Sequence, residues 1–219
     1  QAVTWGFKRG IFSNEAGLGS SVIVHAASNV KEPVTQGLWG IFVVFFDTII
    51  ICTLTALVVL TSGVVDLNTG ASVSGKTNLG LATEAFSNCF GSFGGIFIAF
   101  AMTLFAFTTI LGWSYYGTKA WEYLFGTKTI AIYKFIFLII TFAGAAAGAD
   151  LIIDLSDTFN GLMAIPNLIG VLSLSGTVVA ITDNYVKRRI KKDGTDLTPM
   201  LSHFADIQEE QERALKEEE

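Results

Sequence analysis

"LWGIFVVFFDTIIICTLTALVVL", residues 38–60, is the stretch that decides the fold. Its one charged residue is Asp47, and the remainder is almost entirely apolar. A helix of roughly 20 apolar residues is long enough to cross the hydrocarbon core of a bilayer. The apolar residues do not alternate with polar ones, as they would in a strand of a membrane β-barrel. The stretch therefore predicts a transmembrane helix.

Three further runs have the same character, although the last is the most polar. The chain is 51% hydrophobic and 15% charged, whereas soluble domains are about 25% charged. Together these features predict an all-α membrane protein with four transmembrane helices. The predicted spans are 38–60, 93–117, 129–149 and 156–181.

The basic residues give the orientation, because Lys and Arg concentrate in cytoplasmic connections. Four spans place 13 of the 14 basic residues on one side and leave only Lys76 on the other. Both ends of the chain are therefore predicted to be cytoplasmic. The chain begins with Gln1 and has no signal-peptide pattern, so we expect it to be a fragment of a longer protein.

The predicted domain organisation follows from the spans. Residues 1–37 form a cytoplasmic segment, residues 38–182 a transmembrane bundle, and residues 183–219 a cytoplasmic tail. Between the first two spans lies an outer loop, 62–92, whose second half could form a short helix. The tail is polar from Asp193 onward, and we expect it to be solvated or disordered.

Asp47 is the first candidate for function, because a carboxylate in the middle of a span is costly unless it faces protein or water. It could serve ion or proton movement, or it could hydrogen-bond a neighbouring helix for structure alone. The fourth span carries Asn160, Pro166 and Asn167, which predict a polar helix kinked at the proline. Asparagines seven residues apart share a face and commonly join helices.

Thr108 and Thr109 form a second candidate, a hydroxyl pair in the middle of the second span. Hard cations prefer oxygen ligands, and the carbonyl of Phe105 can converge with both hydroxyls on one helix face. The alternative is that each hydroxyl bonds the carbonyl four residues earlier. Trp113, one turn further on, fits an aromatic belt at the interface or could wall a small pocket.

Enzyme chemistry has little support in the pattern. Ser20 and Ser21 lack the surrounding glycines of a nucleophile elbow, and "GLGSS" at residues 17–21 lacks the lysine of a phosphate-binding loop. The two cysteines, Cys52 and Cys89, have no metal-type spacing. We therefore expect no enzyme activity, no cofactor and no nucleic-acid partner.

Three quoted stretches resemble the alanine or glycine:cation symporter family. They are "GFKRGIFSNEAGLGSS" at 6–21, "PVTQGLWGIFVVFFDTIIICTLTALVVLTSG" at 33–63 and "FAFTTILGWSYYG" at 105–117. The resemblance covers residues 1 to about 190. It implies a leucine-transporter-type fold, in which this chain supplies most of the second inverted repeat after a broken helix, and the N-terminal half of the transporter is missing.

The resemblance also implies a function. It implies a secondary transporter in the bacterial or archaeal plasma membrane that imports alanine or glycine with sodium. Thr108 and Thr109 then match a sodium-binding hydroxyl pair, and Trp113 approaches the substrate pocket. The outer loop becomes a lid, and Glu15 could pair with Lys8 or Arg9 across an inner gate. The alternatives are a channel and a structural membrane subunit without coupled transport.

Overall fold

The computed structural model describes residues 2–15, 17–193, 198–202 and 204–217. Within these ranges the chain is helical, apart from loops and one isolated β-bridge between Val65 and Ser72. The predicted all-α class is thus confirmed. The α-helices are α1 (Ala2–Asn14), α2 (Ser21–His25), α3 (Pro33–Phe45), α4 (Cys52–Thr61), α5 (Asn78–Phe90), α6 (Ser92–Phe125), α7 (Ile130–Ala146), α8 (Ala149–Tyr185) and α9 (Ala205–Glu217).

The first predicted span is a single run of helix. Helices α3 and α4 are joined by a π-helical segment, Phe46–Ile51, and together they form an apolar helix of membrane-spanning length, Pro33–Thr61. Pro33 stands at its first position, where the missing N–H of proline costs no helical hydrogen bond. The helix therefore begins five residues before the stretch that predicted it.

The second span is longer than its apolar run. Helix α6 continues eight residues past the predicted end at Gly117 and stops at Phe125. Its 34 residues correspond to about 51 Å at 1.5 Å per residue, well beyond the hydrocarbon thickness of a bilayer. Polar groups stabilise the extension: Lys119 Nζ lies 3.0 Å from the carboxylate of Glu122.

The turn after α6 brings the third span, Thr127–Ala146, back against α6. The indole N–H of Trp121 donates to the hydroxyl of Thr129 at 2.9 Å. The Tyr133 hydroxyl lies so close to Gly117 that a Cβ atom there would overlap it. The two helices approach closely at Gly117 because glycine has no side chain.

The fourth span bends, although not where the sequence predicted. Its two limbs, Leu151–Ser173 and Ser175–Lys191, meet at 55°, whereas Pro166 lies inside the first limb. At the bend, the hydroxyl of Ser173 donates to the carbonyl of Ile169 at 2.8 Å. Serine hydroxyls that bond preceding carbonyls bend helices. The prediction of a kink at Pro166 was therefore wrong about its place.

The outer loop folds into a small hairpin followed by a helix. Val64, 2% exposed, lies under the hairpin, and the N–H of Val73 donates to its carbonyl at 2.9 Å. The predicted short helix is confirmed as α5. It turns into α6 through Gly91, which has a φ of +61°, a left-handed value that glycine adopts without strain.

The C-terminal tail, predicted to be solvated or disordered, contains an ordered helix, and most of that helix is exposed to solvent. Residues 205–217 form helix α9, and Leu201 just before it is only 6% exposed. The side chain of Gln208 organises this turn, because it accepts from the N–H groups of Leu201 and Ser202 at 2.7 and 2.8 Å. These contacts pair backbone groups that would otherwise need water.

Little of the apolar surface is covered within the part of the chain that the structure describes. The most apolar windows of the first three spans are 0%, 6% and 0% buried. The chain divides into two units, residues 1–44 with 144–219 and residues 45–143. Large apolar surfaces are unfavourable in water, so these helix faces suit lipid or further membrane helices.

Candidate functional site

The predicted hydroxyl pair lies on α6, and its first member already has partners. The Thr108 hydroxyl lies 3.0 Å from the carbonyl of Leu104 and 3.1 Å from that of Phe105. The backbone-bonded alternative is thus observed for Thr108. The same geometry places the Thr108 hydroxyl against the Phe105 carbonyl. A hydroxyl that donates its proton still has oxygen lone pairs that can face a cation.

The second member of the pair differs from the first. The Thr109 hydroxyl makes no hydrogen bond within the residues that the structure describes. Its side chain is exposed, as is that of Thr108. A hydroxyl in a membrane span gains free energy by finding a partner. Two adjacent hydroxyl oxygens and one carbonyl on an open helix face are a partial ligand set for a hard cation.

Trp113 is the predicted pocket residue on the same helix. Its ring packs edge-on against Tyr116 with the centroids 5.6 Å apart, an arrangement that aromatic pairs prefer. The side chain is half-buried. Since Tyr116 lies one turn further along α6, this contact orients the indole along its own helix.

Asp47 lies inside the π-helical segment of the first span. The backbone N–H of Cys52 donates to the carbonyl of Asp47, five residues earlier, which widens the helix at that turn. Asp47 and Thr48 are both half-buried. Single π-helical turns often occur at functional sites. Hydrophobic periodicity could not reveal this turn, because an apolar run has the same composition in either type of helix.

Arg9 has a different partner from the one predicted. Its Nη1 atom lies 3.5 Å from the carboxylate of Asp157 on α8, whereas Glu15 accepts a hydrogen bond from the Ser20 hydroxyl at 2.7 Å. No ion pair joins Arg9 to Glu15 within the described residues. The predicted gate pair between them is therefore not the arrangement observed.

The position of Asp157 also bears on the side assigned to Arg9. Asp157 lies near the start of the fourth span and Arg188 near its end. Arg9 therefore contacts a residue near the start of the fourth span, whereas the charge distribution had grouped it with the basic residues at the end of that span. Charged pairs within a span are costly and are commonly tied to function. We call the contact between α1, the loop after it and the first limb of α8 the polar seam.

The polar seam continues through the glycine-rich loop after α1. Gly19 has a φ of +81°, and a Cβ atom there would lie 2.6 Å from the Asn167 side-chain oxygen. Leu18 beside it is 3% exposed. A cavity of about 340 Å³ lies along the seam, lined by Lys8 and Asp157 among others. Asn160 also lines it, so both asparagines of the fourth span face the loop segment.

Sequence reasoning missed a second ion cluster, centred on Glu32. One carboxylate oxygen of Glu32 pairs with Arg188, and the other accepts from Nη2 and Nε of Arg189 at 2.9 and 3.1 Å. Glu32 and Arg188 are nearly buried. This cluster, the Glu32 clamp, joins the start of the first span to the end of the fourth. Two charged residues about 150 positions apart form no pattern in a single sequence that would indicate their contact.

Asn184 extends the Glu32 clamp toward the tail. Its side-chain oxygen accepts from Nε of Arg188 at 3.0 Å and from the N–H of Met200 at 3.1 Å. Its side-chain nitrogen donates to the carbonyl of Thr198 at 3.1 Å. One amide therefore links the end of the last span to the tail.

A conventional metal-binding cluster is absent from the described residues. Among the described residues, no group of three or more His, Cys, Asp or Glu side chains could hold a metal ion. Hydroxyl and carbonyl oxygens, such as those on α6, are also of the type that hard cations prefer.

Comparison with known proteins gives a consistent result. Residues 1–199 match the model of the sodium:alanine symporter family. The chain is 45% identical over 181 residues to the sodium/alanine symporter AgcS of Methanococcus maripaludis, covering 83% of this chain and 39% of that protein. It is 36% identical over 196 residues to the probable sodium/glutamine symporter GlnT of Bacillus subtilis, covering 89% and 39%.

A third relative is also matched over less than half of its length. The chain is 35% identical over 186 residues to a sodium/proton-dependent alanine carrier protein of Bacillus sp. strain PS3, covering 79% of this chain and 42% of that protein. The chain thus spans about two fifths of the length of the curated relatives it matches.

Proposed function

The chain belongs to the sodium:alanine symporter family, and from this we propose that it is part of a secondary active transporter. The transporter moves sodium down its gradient and imports a small neutral amino acid, alanine or glycine, in the same cycle. Because the chain spans about two fifths of its relatives, this activity is proposed for the whole protein.

The architecture proposed for the whole protein is an inverted repeat of the leucine-transporter type. In such folds, substrate and ion sites lie at the bilayer midplane around broken helices. Here residues 1–37 would follow a broken helix, and residues 38–182 would supply the last four core helices. The Glu32 clamp supports the count of four spans. Four crossings bring the end of the fourth span back to the side of the membrane where the first span starts, so Glu32 and Arg188 can meet there.

The orientation proposed places both ends of the chain in the cytoplasm. The distribution of the basic residues supports it, and so does the contact of Glu32 with Arg188 and Arg189. Residues 62–92 then form an extracellular lid, whose closure would exclude water and retain the substrate. The contact of Arg9 with Asp157 supports a position of α1 beside the first limb of α8.

The observation that carries the sodium proposal is the oxygen set on α6. The hydroxyl of Thr108 and the carbonyl of Phe105 already lie together, and Thr109 presents a second hydroxyl beside them. Sodium would complete its coordination with oxygens from the rest of the protein and would thereby order the substrate site. Binding of cation and of amino acid then favour each other by the same factor.

The substrate is proposed as alanine or glycine on family grounds. Relatives of comparable identity carry different substrate names, alanine in one case and glutamine in another. Trp113 on α6 is the pocket residue that we propose from this chain. Its half-buried indole could restrict the size of the side chain accepted, since large aromatic groups fill pockets at little conformational cost.

Uptake by the full-length protein tests the proposal. In reconstituted vesicles, labelled alanine should accumulate only when an inward sodium gradient is applied. Replacing sodium by potassium should abolish accumulation, and unchanged uptake would overturn the sodium coupling. An excess of unlabelled glycine should reduce the uptake of labelled alanine. A larger neutral amino acid, used as the competitor, tests how large a side chain the pocket accepts.

The main alternative is a channel or a structural membrane subunit. A channel lined by the polar residues of α8 would conduct without coupling and would never concentrate its solute. Accumulation of alanine against its gradient would exclude it. A structural subunit would give neither accumulation nor conductance.

A further inference from the structure

The tail of this chain lies largely outside the family match, yet it is part of the folded unit. The match ends at residue 199, whereas the described tail continues to residue 217. Nevertheless, Leu201 is almost completely buried, which an unattached polar tail does not explain. We call residues 198–202 and 204–217 the strap.

The strap covers a groove at the cytoplasmic start of the first span. The groove has a volume of about 610 Å³ and is formed by residues 22–40 on one side. Leu201, Gln211 and Ala214 line it from the strap. The groove floor includes His25, whose Nδ1 atom lies 2.7 Å from the side-chain nitrogen of Gln36. This hydrogen bond pairs two polar side chains of the floor, and Leu201, 6% exposed, is the buried apolar residue that the strap brings to the groove.

The strap is also attached to the end of the last span. Thr198 and Met200 hydrogen-bond the side chain of Asn184, which in turn holds Arg188 in the Glu32 clamp. Gln208 fastens the strap to itself, because it bonds Leu201 and Ser202 and donates to the carbonyl of Pro199 at 2.9 Å. The strap therefore bridges two elements: the segment leading into the first span and the end of the fourth.

We infer that the strap is an autoinhibitory element that docks in the groove of residues 22–40 and restrains the cytoplasmic ends of the spans. Its role in transport rests on the proposed function, whereas its docking does not. Alternating access moves helices relative to one another about the substrate site. A segment bound to two of them stabilises the arrangement in which both contacts exist and lowers the population of the other state.

Docking is tested by cross-linking in the full-length protein. In a variant with its cysteines, including Cys52 and Cys89, replaced by serine, Ala26→Cys is combined with Ala214→Cys, since both residues line the groove. A short bis-maleimide should link this pair. The matched control combines Ala26→Cys with Glu209→Cys, because Glu209 is exposed like Ala214, lies on a different face of the same helix and does not line the groove. Equal yields in the two pairs would overturn the docking.

Release of the strap should follow from Leu201→Asp. Loss of a buried leucine implies roughly a tenfold or greater fall in the equilibrium constant for docking. The yield of the cross-link should therefore fall to a similar degree. A cross-link that survives Leu201→Asp unchanged would also count against docking. This readout needs no transport activity, so it remains informative if the proposed function fails.

The regulatory role is tested by initial rates of uptake. Leu201→Asp, and truncation after residue 197, should both raise the maximal rate of sodium-dependent alanine uptake several-fold. The sodium concentration for half-maximal uptake should change much less, because none of the oxygens proposed to bind sodium belongs to the strap. An unchanged or lower maximal rate at equal surface expression, in variants whose cross-link is lost, would overturn the autoinhibition.

Discussion

Glu32 and Arg188 form an ion pair in which the side chains are only 8% and 9% exposed. Glu32 directly precedes the first residue of α3, and Arg188 lies in the π-helical segment that follows α8. A carboxylate removed from water needs a full set of partners. Arg188 and Arg189 provide them, so one acidic side chain joins the first and last spans.

Replacement of Glu32 by glutamine should strongly destabilise the protein. It leaves Arg188 buried without its counter-charge, and breaking a buried pair costs about 3 kcal/mol. Thermal unfolding in detergent should show a clear fall in the midpoint. Glu209→Gln is the control, because Glu209 and Arg213 are 71% and 78% exposed and such pairs contribute little. Equal falls in the unfolding midpoint for the two substitutions would show that the Glu32 clamp does not stabilise the protein.

Gly19→Ala should destabilise the loop after α1. Its φ of +81° and its close approach to Asn167 both disfavour a Cβ atom, and we expect a loss of roughly 1–3 kcal/mol. Gly10→Ala is the matched control, since Gly10 lies in α1 with no atom within 4 Å of the added carbon. That change should be neutral or slightly stabilising. Unfolding midpoints in the opposite order would show that Gly19 is not constrained.

Asp157→Asn should impair the protein more than Asp154→Asn on the same helix. The first change leaves Arg9 without its partner at 3.5 Å, whereas no ion pair of Asp154 is found among the described residues. Arg9 would keep its contact with the Trp5 ring, 5.4 Å from the centroid, but would lose its counter-charge. The exchanged pair Arg9→Asp with Asp157→Arg should recover part of the loss in uptake and stability. No recovery in either measurement would indicate that the contact has no energetic role.

Thr109→Ala should raise the sodium concentration needed for half-maximal uptake, on the order of tenfold if one hydroxyl ligand contributes about 1.4 kcal/mol. Thr109→Ser keeps the hydroxyl and should retain most of the affinity. Thr103→Ala is the control, since its hydroxyl donates to the Ala99 carbonyl on the same helix at 2.8 Å. A similar shift in the Thr103 variant would remove the case for a site at Thr109.

The outer loop should loosen in acid. A hydrogen bond from the Ser74 hydroxyl at 2.6 Å, assisted by Lys76, lowers the pKa of Glu84 below its ordinary value. A lowered pKa in the folded state stabilises the loop at pH values above the ordinary carboxyl pKa, and this contribution disappears as the pH falls through the folded value. The protection factors of the amides in residues 72–84, which correct for the slower intrinsic exchange in acid, should therefore fall as the pH is lowered. Glu84→Gln should remove this pH dependence, and its persistence would assign the effect to another group.

Much of the architecture could be predicted from local composition. A run of apolar residues specifies a membrane helix because the backbone has no other way to pair its polar groups in lipid. The first three spans and the short helix α5 were therefore predicted correctly in type and approximate position. The bend of the fourth span was misplaced, since Pro166 is accommodated in the helix and the serines near residue 174 redirect it.

By itself the sequence determined the helical membrane class, the spans and the family, because each of these is recorded in local patterns of residue type. The tertiary structure alone decided which charges meet. Glu32 meets Arg188 and Arg9 meets Asp157, and the tail reaches the groove of residues 22–40 through Leu201, Gln211 and Ala214. Such pairings depend on how helices distant in sequence pack, and a charged side chain has the same local signature whether it faces water, lipid headgroups or a buried partner.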